Sequence, residues 1–180
     1  MTTYITILRG INVSGHNLIK MEALKKMYEN LGFSNVKTYV QSGNVIFASK
    51  ESDTSKIEKT ITTQIEKDFG CKVPVIALTT DQLKTIIKQN PFSTNTEKEE
   101  RFVYVTFLEK EPKIFVAKDP EEKLQDLESI HFSNRVIYLY CPNGYGKTKL
   151  NNIFIENKLK VTATTRNWKT TNELLKLATA

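Results

Sequence analysis

The way apolar periodicity changes along the chain constrains this sequence more than any single residue does. Tyr4-Ile5-Thr6-Ile7-Leu8 alternates with the period of a strand, and Gly10 stops it. From Lys20 to Leu31, the residues Met21, Leu24, Met27, Tyr28 and Leu31 recur at helical spacing, with Gly32 placed to end the helix. Val36 to Val40 and Val45 to Ala48 read as strands joined by Gln41-Ser42-Gly43-Asn44. There Gly43-Asn44 offers residues that tolerate positive φ in a tight hairpin. Ile57, Ile61, Ile65 and Phe69 form one stripe of an amphipathic helix from Ser55, closed by Gly70. Val73 to Leu78 follows as a strand, and Pro74 predicts an edge position for it. Strand, helix, strand, strand, helix, strand is the split βαβ, ferredoxin-like unit.

The same order then recurs. Thr80-Asp81 opens a linking helix that Asn90-Pro91-Phe92 ends, and Ser93 to Glu100 is a polar loop. Strands are expected over Phe102 to Leu108, Ser129 to Phe132 and Val136 to Cys141, with a weaker one over Leu159 to Ala163. Helices are expected over Pro120 to Leu127, Gly146 to Asn157 and Asn167 to Ala178. The reading is α+β: two ferredoxin-like (βαββαβ) halves, alike in element order rather than in residues, with an additional C-terminal helix. The expected division is a first half over 1–79, a linking helix and loop over 80–100, and a second half over 101–180.

Composition narrows the function classes. The 180 residues carry a formal net charge of +6, which favours an anionic or phosphorylated partner. Alternating Lys and Glu on ordinary solvated faces explains most of that charge as well. Two cysteines without a Cys-x-x-Cys pair, and two histidines far apart, build neither a disulfide framework nor a zinc site. No metal and no cofactor are expected. The N-terminus has no secretory pattern, and no apolar run approaches the roughly 20 residues needed to cross a bilayer. A cytoplasmic protein without a membrane partner is expected.

Three polar stretches stand out. The first, Arg9-Gly10-Ile11-Asn12-Val13-Ser14-Gly15-His16-Asn17, leaves the first strand for the first helix. The second is Gln41-Ser42-Gly43-Asn44 and the third Thr165-Arg166-Asn167-Trp168, read as a turn. Together with Lys147 they place Arg9, Asn12, Asn17, Gln41, Asn44, Arg166 and Asn167 as candidate ligand-binding residues. Guanidinium and amide groups present donors in fixed pairs, suited to a planar anion. Gly-opened backbone at a helix start adds N–H groups. The plainer reading is that Asn and Gly make the turns and the arginines tie loops to backbone carbonyls.

The same regions, taken as Leu8 to Val13, Tyr39 to Phe47, and Thr165 to Trp168 with Thr170 and Leu174-Leu175, resemble a bacterial domain-of-unknown-function family, number 1697. Gly144 to Leu150 matches it more loosely. The family's first motif usually has Gly where Ser14 stands, and its last has Ala where Thr165 stands. The resemblance implies an α+β fold of two ferredoxin-like parts and no established activity.

Other chemistries find less support. Gly146-Lys147-Thr148 has the ending of a nucleotide-phosphate loop, but Cys141 stands where the pattern needs its first Gly. Ser14 beside His16 and Ser42 outside any Gly-x-Ser-x-Gly elbow do not make a nucleophile, so no catalytic residue is assigned. Tyr138 and Tyr140, two apart on one strand, together with Tyr104 suggest an alternative: single-stranded RNA or other nucleic acid stacked on the sheet. Core packing is the plainer account of those aromatics. Trp168 reads as an anchor for the last helix, and Cys71 and Cys141 as inert. The leading functional reading is a small anionic or phosphorylated ligand held at the polar turns.

Overall fold

The computed structural model describes residues 1–113 and 124–180. Among these, eight strands and five helices run in the order β1 (Thr2–Leu8), α1 (Met21–Asn30), β2 (Ser34–Tyr39), β3 (Asn44–Ser49), α2 (Thr54–Phe69), β4 (Val75–Thr79), α3 (Thr80–Lys88), β5 (Val103–Leu108), β6 (Ser129–Ser133), β7 (Val136–Tyr140), α4 (Asn152–Leu159), β8 (Ala163–Asn167) and α5 (Trp168–Thr179). The strands make two antiparallel sheets, ordered β2-β3-β1-β4 and β6-β7-β5-β8. Both have the ferredoxin-like arrangement, so the α+β expectation of two such halves and a C-terminal helix holds. By contacts the chain divides into one unit of Met1–Thr85 with Glu173–Ala180 and another of Ile86–Asn172. The divisions fall inside α3 and α5.

In the first unit, β1 is buried from Tyr4 to Leu8, because a central strand covered on both faces needs a continuous apolar run. Tyr4, Leu8, Val45 and Phe47 share a core with Leu24, Met27 and Tyr28 of α1 and with Ile57, Ile61 and Ile65 of α2. The three α2 isoleucines are at most 1% exposed, and each contributes about 1.5–3 kcal/mol by leaving water. Thr6 interrupts the apolar run, and its hydroxyl is paired with Tyr28 Oη at 2.8 Å. Asp53 caps α2 by accepting from Ser55 N, and Gly70 ends it at φ 71°.

The two units share more than element order. Tyr4-Ile5-Thr6-Ile7-Leu8 and Tyr104-Val105-Thr106-Phe107-Leu108 occupy the same place in their sheets, and both threonines are fully buried. Leu8 N donates to Gly43 O and Leu108 N to Arg135 O, each tying β1 or β5 to the neighbouring hairpin. Each unit also seals one sheet edge alike. Glu58 of α2 accepts from Ala77 N of β4, and Glu156 of α4 accepts from Ala163 N of β8. An edge N–H engaged by a carboxylate cannot pair with another chain.

Several boundaries differ from the sequence reading, for local reasons. β2 ends at Tyr39 because Val40 turns left-handed, φ 51°. Gly43 takes the expected positive φ, but Asn44 is already the first, buried residue of β3. β4 begins after Pro74 and is an edge strand, as that proline predicted. The helix expected from Pro120 falls on residues 120–123 outside the described ones, and Leu124 to Leu127 is not helical. The helix expected from Gly146 starts at Asn152, because Asn151 Oδ1 accepts from Phe154 N and sets the cap there. Only a short 3-10 turn, Tyr145–Lys147, precedes it. The strand expected over Leu159 to Ala163 lies later. Leu159 and Val161 are buried around a left-handed helix end at Lys160, and β8 begins at Ala163. Thr165-Arg166-Asn167 is therefore strand, running straight into α5, and not a turn.

Candidate functional site in the loops of the first unit

Residues 9–20, between β1 and α1, fold back on themselves. Asn12 N donates to Asn17 O, and His16 N donates to Val13 O. Between them Ser14 and Gly15 both have positive φ, 49° and 76°, the signature of a type I′ turn. Ser14 takes a conformation that Gly adopts more easily, and it stands where the resembled family usually has Gly.

The side-chain amides act as staples. Asn12 Nδ2 donates to Ile19 O and to Gln41 O, both at 2.9 Å, while its Oδ1 accepts from Ile19 N at 2.8 Å. One side chain thus closes the first loop and ties it to the β2–β3 hairpin. Asn17 Nδ2 donates to Gly10 O at 2.9 Å. Asn44 Nδ2 donates to Tyr39 O at 2.9 Å and to Ser42 Oγ at 3.1 Å across the hairpin mouth. Gly43 lies so close to Leu8 and Ile11 that an added Cβ would sit 2.7 Å from Ile11 Cδ1. The structure therefore brings Asn12, Gln41 and Asn44 together on two interlocked loops, with Arg9 and Asn17 in the first. Asn12, Asn17 and Asn44 hold the frame. Gln41, Ser14, His16 and Lys20 are on its surface, and Arg9 is half-buried.

Two residues of this surface, His16 and Lys20, are not among the ligand-binding candidates of the sequence reading. Their signal was the absence of any Asp or Glu from residues 9–20 and 39–44. Lys20 also begins α1 without a side-chain cap, so the first N–H groups of that helix have no side-chain partner there.

In the second unit the candidate residues have structural partners. Arg166 is buried, and its Nη1 donates to Thr164 Oγ1 and Thr165 O, each at 3.0 Å. Asn167 Oδ1 accepts from Thr170 N at 2.7 Å and caps α5. Trp168 beside it is 6% exposed, in keeping with an anchor. Lys147 is exposed on the 3-10 turn, its carbonyl accepting from Gln125 Nε2. That turn is fixed to β8 through Tyr145, whose hydroxyl donates to Thr165 Oγ1 at 3.1 Å. Thr165 Oγ1 in turn lies 2.7 Å from Thr106 Oγ1 and 2.7 Å from Asn152 Oδ1.

The aromatic residues considered for stacking do not share an open face. Tyr138 opposes Val105 and Tyr104 opposes Leu139, which places the two tyrosines on opposite sides of the sheet. Tyr138 is fully buried and Tyr140 is 8% exposed. Burial pushes the Tyr138 hydroxyl up to about 12, and it donates to Ile86 O at 2.7 Å. Cys141 is also pushed up to about 12, first by burial and then by the Glu128 carboxylate, against a hydrogen bond from Thr148. A thiol so protonated is a poor nucleophile. Among the described residues no group of three His, Cys, Asp or Glu could hold a metal, and no helix is long and apolar enough to cross a membrane.

A cleft of about 400 Å³ lies elsewhere in the first unit, lined by Thr3, Asn35, Lys37, Ile46, Ala48 and Leu177 among others. Thr3 and Ala48 are at the opposite ends of their strands from the polar loops, so the cleft and the loops are separate features.

The family model described as "Protein of unknown function (DUF1697)" matches residues 1–138. The chain belongs to this family. The DUF1697 match spans both polar loops of the first unit and ends before the Gly144 to Leu150 and Thr165 to Leu175 stretches. The fold of this DUF1697 chain is similar to the solved structure of conserved bacterial protein SP0830 from Streptococcus pneumoniae, with TM-score 0.71, 23% identity and 98% of each chain covered. That likeness concerns the fold. No curated protein matches the sequence.

Proposed function

We propose that this chain binds a small anionic ligand, such as a phosphorylated metabolite, on the interlocked loops 9–20 and 39–44 of the first unit. Arg9 and Lys20 supply positive charge, Gln41, Ser14 and His16 supply hydrogen bonds, and the N-terminal end of α1 adds its dipole. Asn12, Asn17 and Asn44 serve as the frame that keeps these groups in place. The observation that carries the reading is the Asn12 amide bridging both loops by three hydrogen bonds. Rigid loops on a fixed scaffold are where binding residues concentrate, and preorganisation lowers the ordering cost of binding. The absence of acidic residues from both loops supports an anion in particular. Burial of Tyr138 and Tyr140 argues against the nucleic-acid alternative.

The test is thermal unfolding of the full chain against inorganic phosphate, pyrophosphate, sugar phosphates, nucleotides and a short single-stranded RNA. A ligand at 100 times its Kd stabilises by about 2.7 kcal/mol, a rise of roughly 5–10 °C for a chain of this size. An Arg9→Ala, Lys20→Ala double variant is expected to lose that rise. No rise with any anion, or an equal rise in the variant, overturns the proposal.

A further inference from the structure

Lys98, in the loop between α3 and β5, lies in an unusual place for a lysine. Its Nζ is 4.1 Å from the Tyr140 ring centroid, 5.5 Å from that of Phe92, and 3.1 Å from Ser129 Oγ. Among the described residues no carboxylate pairs with it. The two rings are 6.5 Å apart and inclined at 52°, and both are at least nine-tenths buried. Phe102 meets Tyr140 edge-on at 6.4 Å and 85°, which holds that ring in place. The backbone of Phe92 is held by its N–H donating to Asn90 Oδ1 at 2.9 Å. Two walls of π-density and one hydroxyl acceptor are the elements by which proteins recognise ammonium groups.

We propose that Phe92, Tyr140 and Ser129 form a binding site for organic ammonium groups, and that Lys98 is its built-in occupant. An external amine enters by displacing Lys98, so the loop works as a strap across the site. Two further observations favour release of the strap. The backbone around Lys98 is held by turn hydrogen bonds, Lys98 N to Asn95 O and Glu97 N to Asn95 Oδ1, so its departure breaks no helix or sheet. At the root of the same loop, Asn90 Nδ2 is buried without an acceptor, so the closed arrangement keeps an unmet hydrogen bond that opening would satisfy with water. Methylated amines should compete best, because they are less strongly hydrated than Lys98 while keeping the charge that the rings attract.

The test uses the full chain and tetramethylammonium chloride as the probe, with sodium chloride at equal ionic strength as the control. Ring-proton NMR shifts of Tyr140 and Phe92 report binding. In Lys98→Ala, and in Lys98→Gln as a second strap-free variant, tetramethylammonium is expected to shift both rings at millimolar concentration. The natural chain should need about tenfold more probe, because Lys98 competes. Adding Phe92→Leu to Lys98→Ala should remove the response. The proposal is overturned if strap-free variants with native amide spectra bind no better than the natural chain. It is equally overturned if sodium chloride gives the same shifts, or if the Phe92→Leu change leaves them intact.

Discussion

Replacing Gly43 with alanine tests the packing of the two loops with a built-in control. At φ +86°, an alanine enters the left-handed region, which costs an L residue roughly 1–2 kcal/mol. Its Cβ would also meet Ile11 Cδ1 at 2.7 Å, Leu8 Cβ at 2.8 Å and Ile11 Cγ1 at 2.9 Å. Leu8 and Ile11 are fully buried, and the Leu8 N to Gly43 O bond of 2.8 Å fixes the approach. The clash must therefore move core side chains or the hairpin, at about 1–3 kcal/mol. The sum is about 2–5 kcal/mol, or a fall in Tm of roughly 4–20 °C. Gly15, at φ +76°, has nothing within 4 Å of the corresponding Cβ position, so Gly15→Ala incurs the backbone term alone. Urea and thermal unfolding of both variants measure the difference. If the two substitutions agree within about 0.5 kcal/mol, the close contact between Gly43 and the first loop is not what holds the hairpin.

Asn12→Ala removes three hydrogen bonds at a half-buried position and should cost about 2–4 kcal/mol, with faster hydrogen exchange at the Ile19 amide as its local sign. Glu58→Ala frees the Ala77 N–H on an edge strand, and light scattering should show more association than in a control such as Glu22→Ala. Cys141 and Tyr138 hold their protons more tightly folded, at about 12, than at their ordinary 9.0 and 10.0. The unfolded chain loses those protons first, so their stabilisation is full below pH 9 and declines as pH rises towards 12. Unfolding free energy against pH should fall through that window, less steeply in Cys141→Ala.

The fold was legible because apolar periodicity records burial directly. Ile57, Ile61 and Ile65 of the α2 stripe are in the core and Phe69 packs partly buried against it, and Pro74 marked its strand as an edge. Where the reading failed, short-range chemistry outweighed the pattern. Asn151 moved the start of α4, since a cap decides where helical hydrogen bonding begins. Leu159 and Val161 are as buried as strand residues, yet they flank the left-handed end of a helix. The likeness of Tyr4 to Leu8 and Tyr104 to Leu108 was present in the letters, but Thr6 and Thr106 gain meaning only once each lies buried at the centre of a sheet. The candidate site was legible in its backbone and not in its division of labour. Asn, Gln and Arg are equally able to hold a ligand or a loop, and sequence does not say which carbonyl lies within reach. The structure places Asn12, Asn17 and Asn44 on carbonyls. The ammonium clamp could not be read at all, because Phe92 and Lys98 on one loop, Ser129 on β6 and Tyr140 on β7 come from three separate segments.

The central claim, an anion held by the interlocked loops, is tested most directly by following backbone amide resonances of the full chain during titration with inorganic phosphate at constant ionic strength. The account predicts saturable shifts concentrated in residues 9–22 and 40–43, lost in the Arg9→Ala, Lys20→Ala variant. Shifts spread over the surface lysines, or absent from these loops, would contradict it.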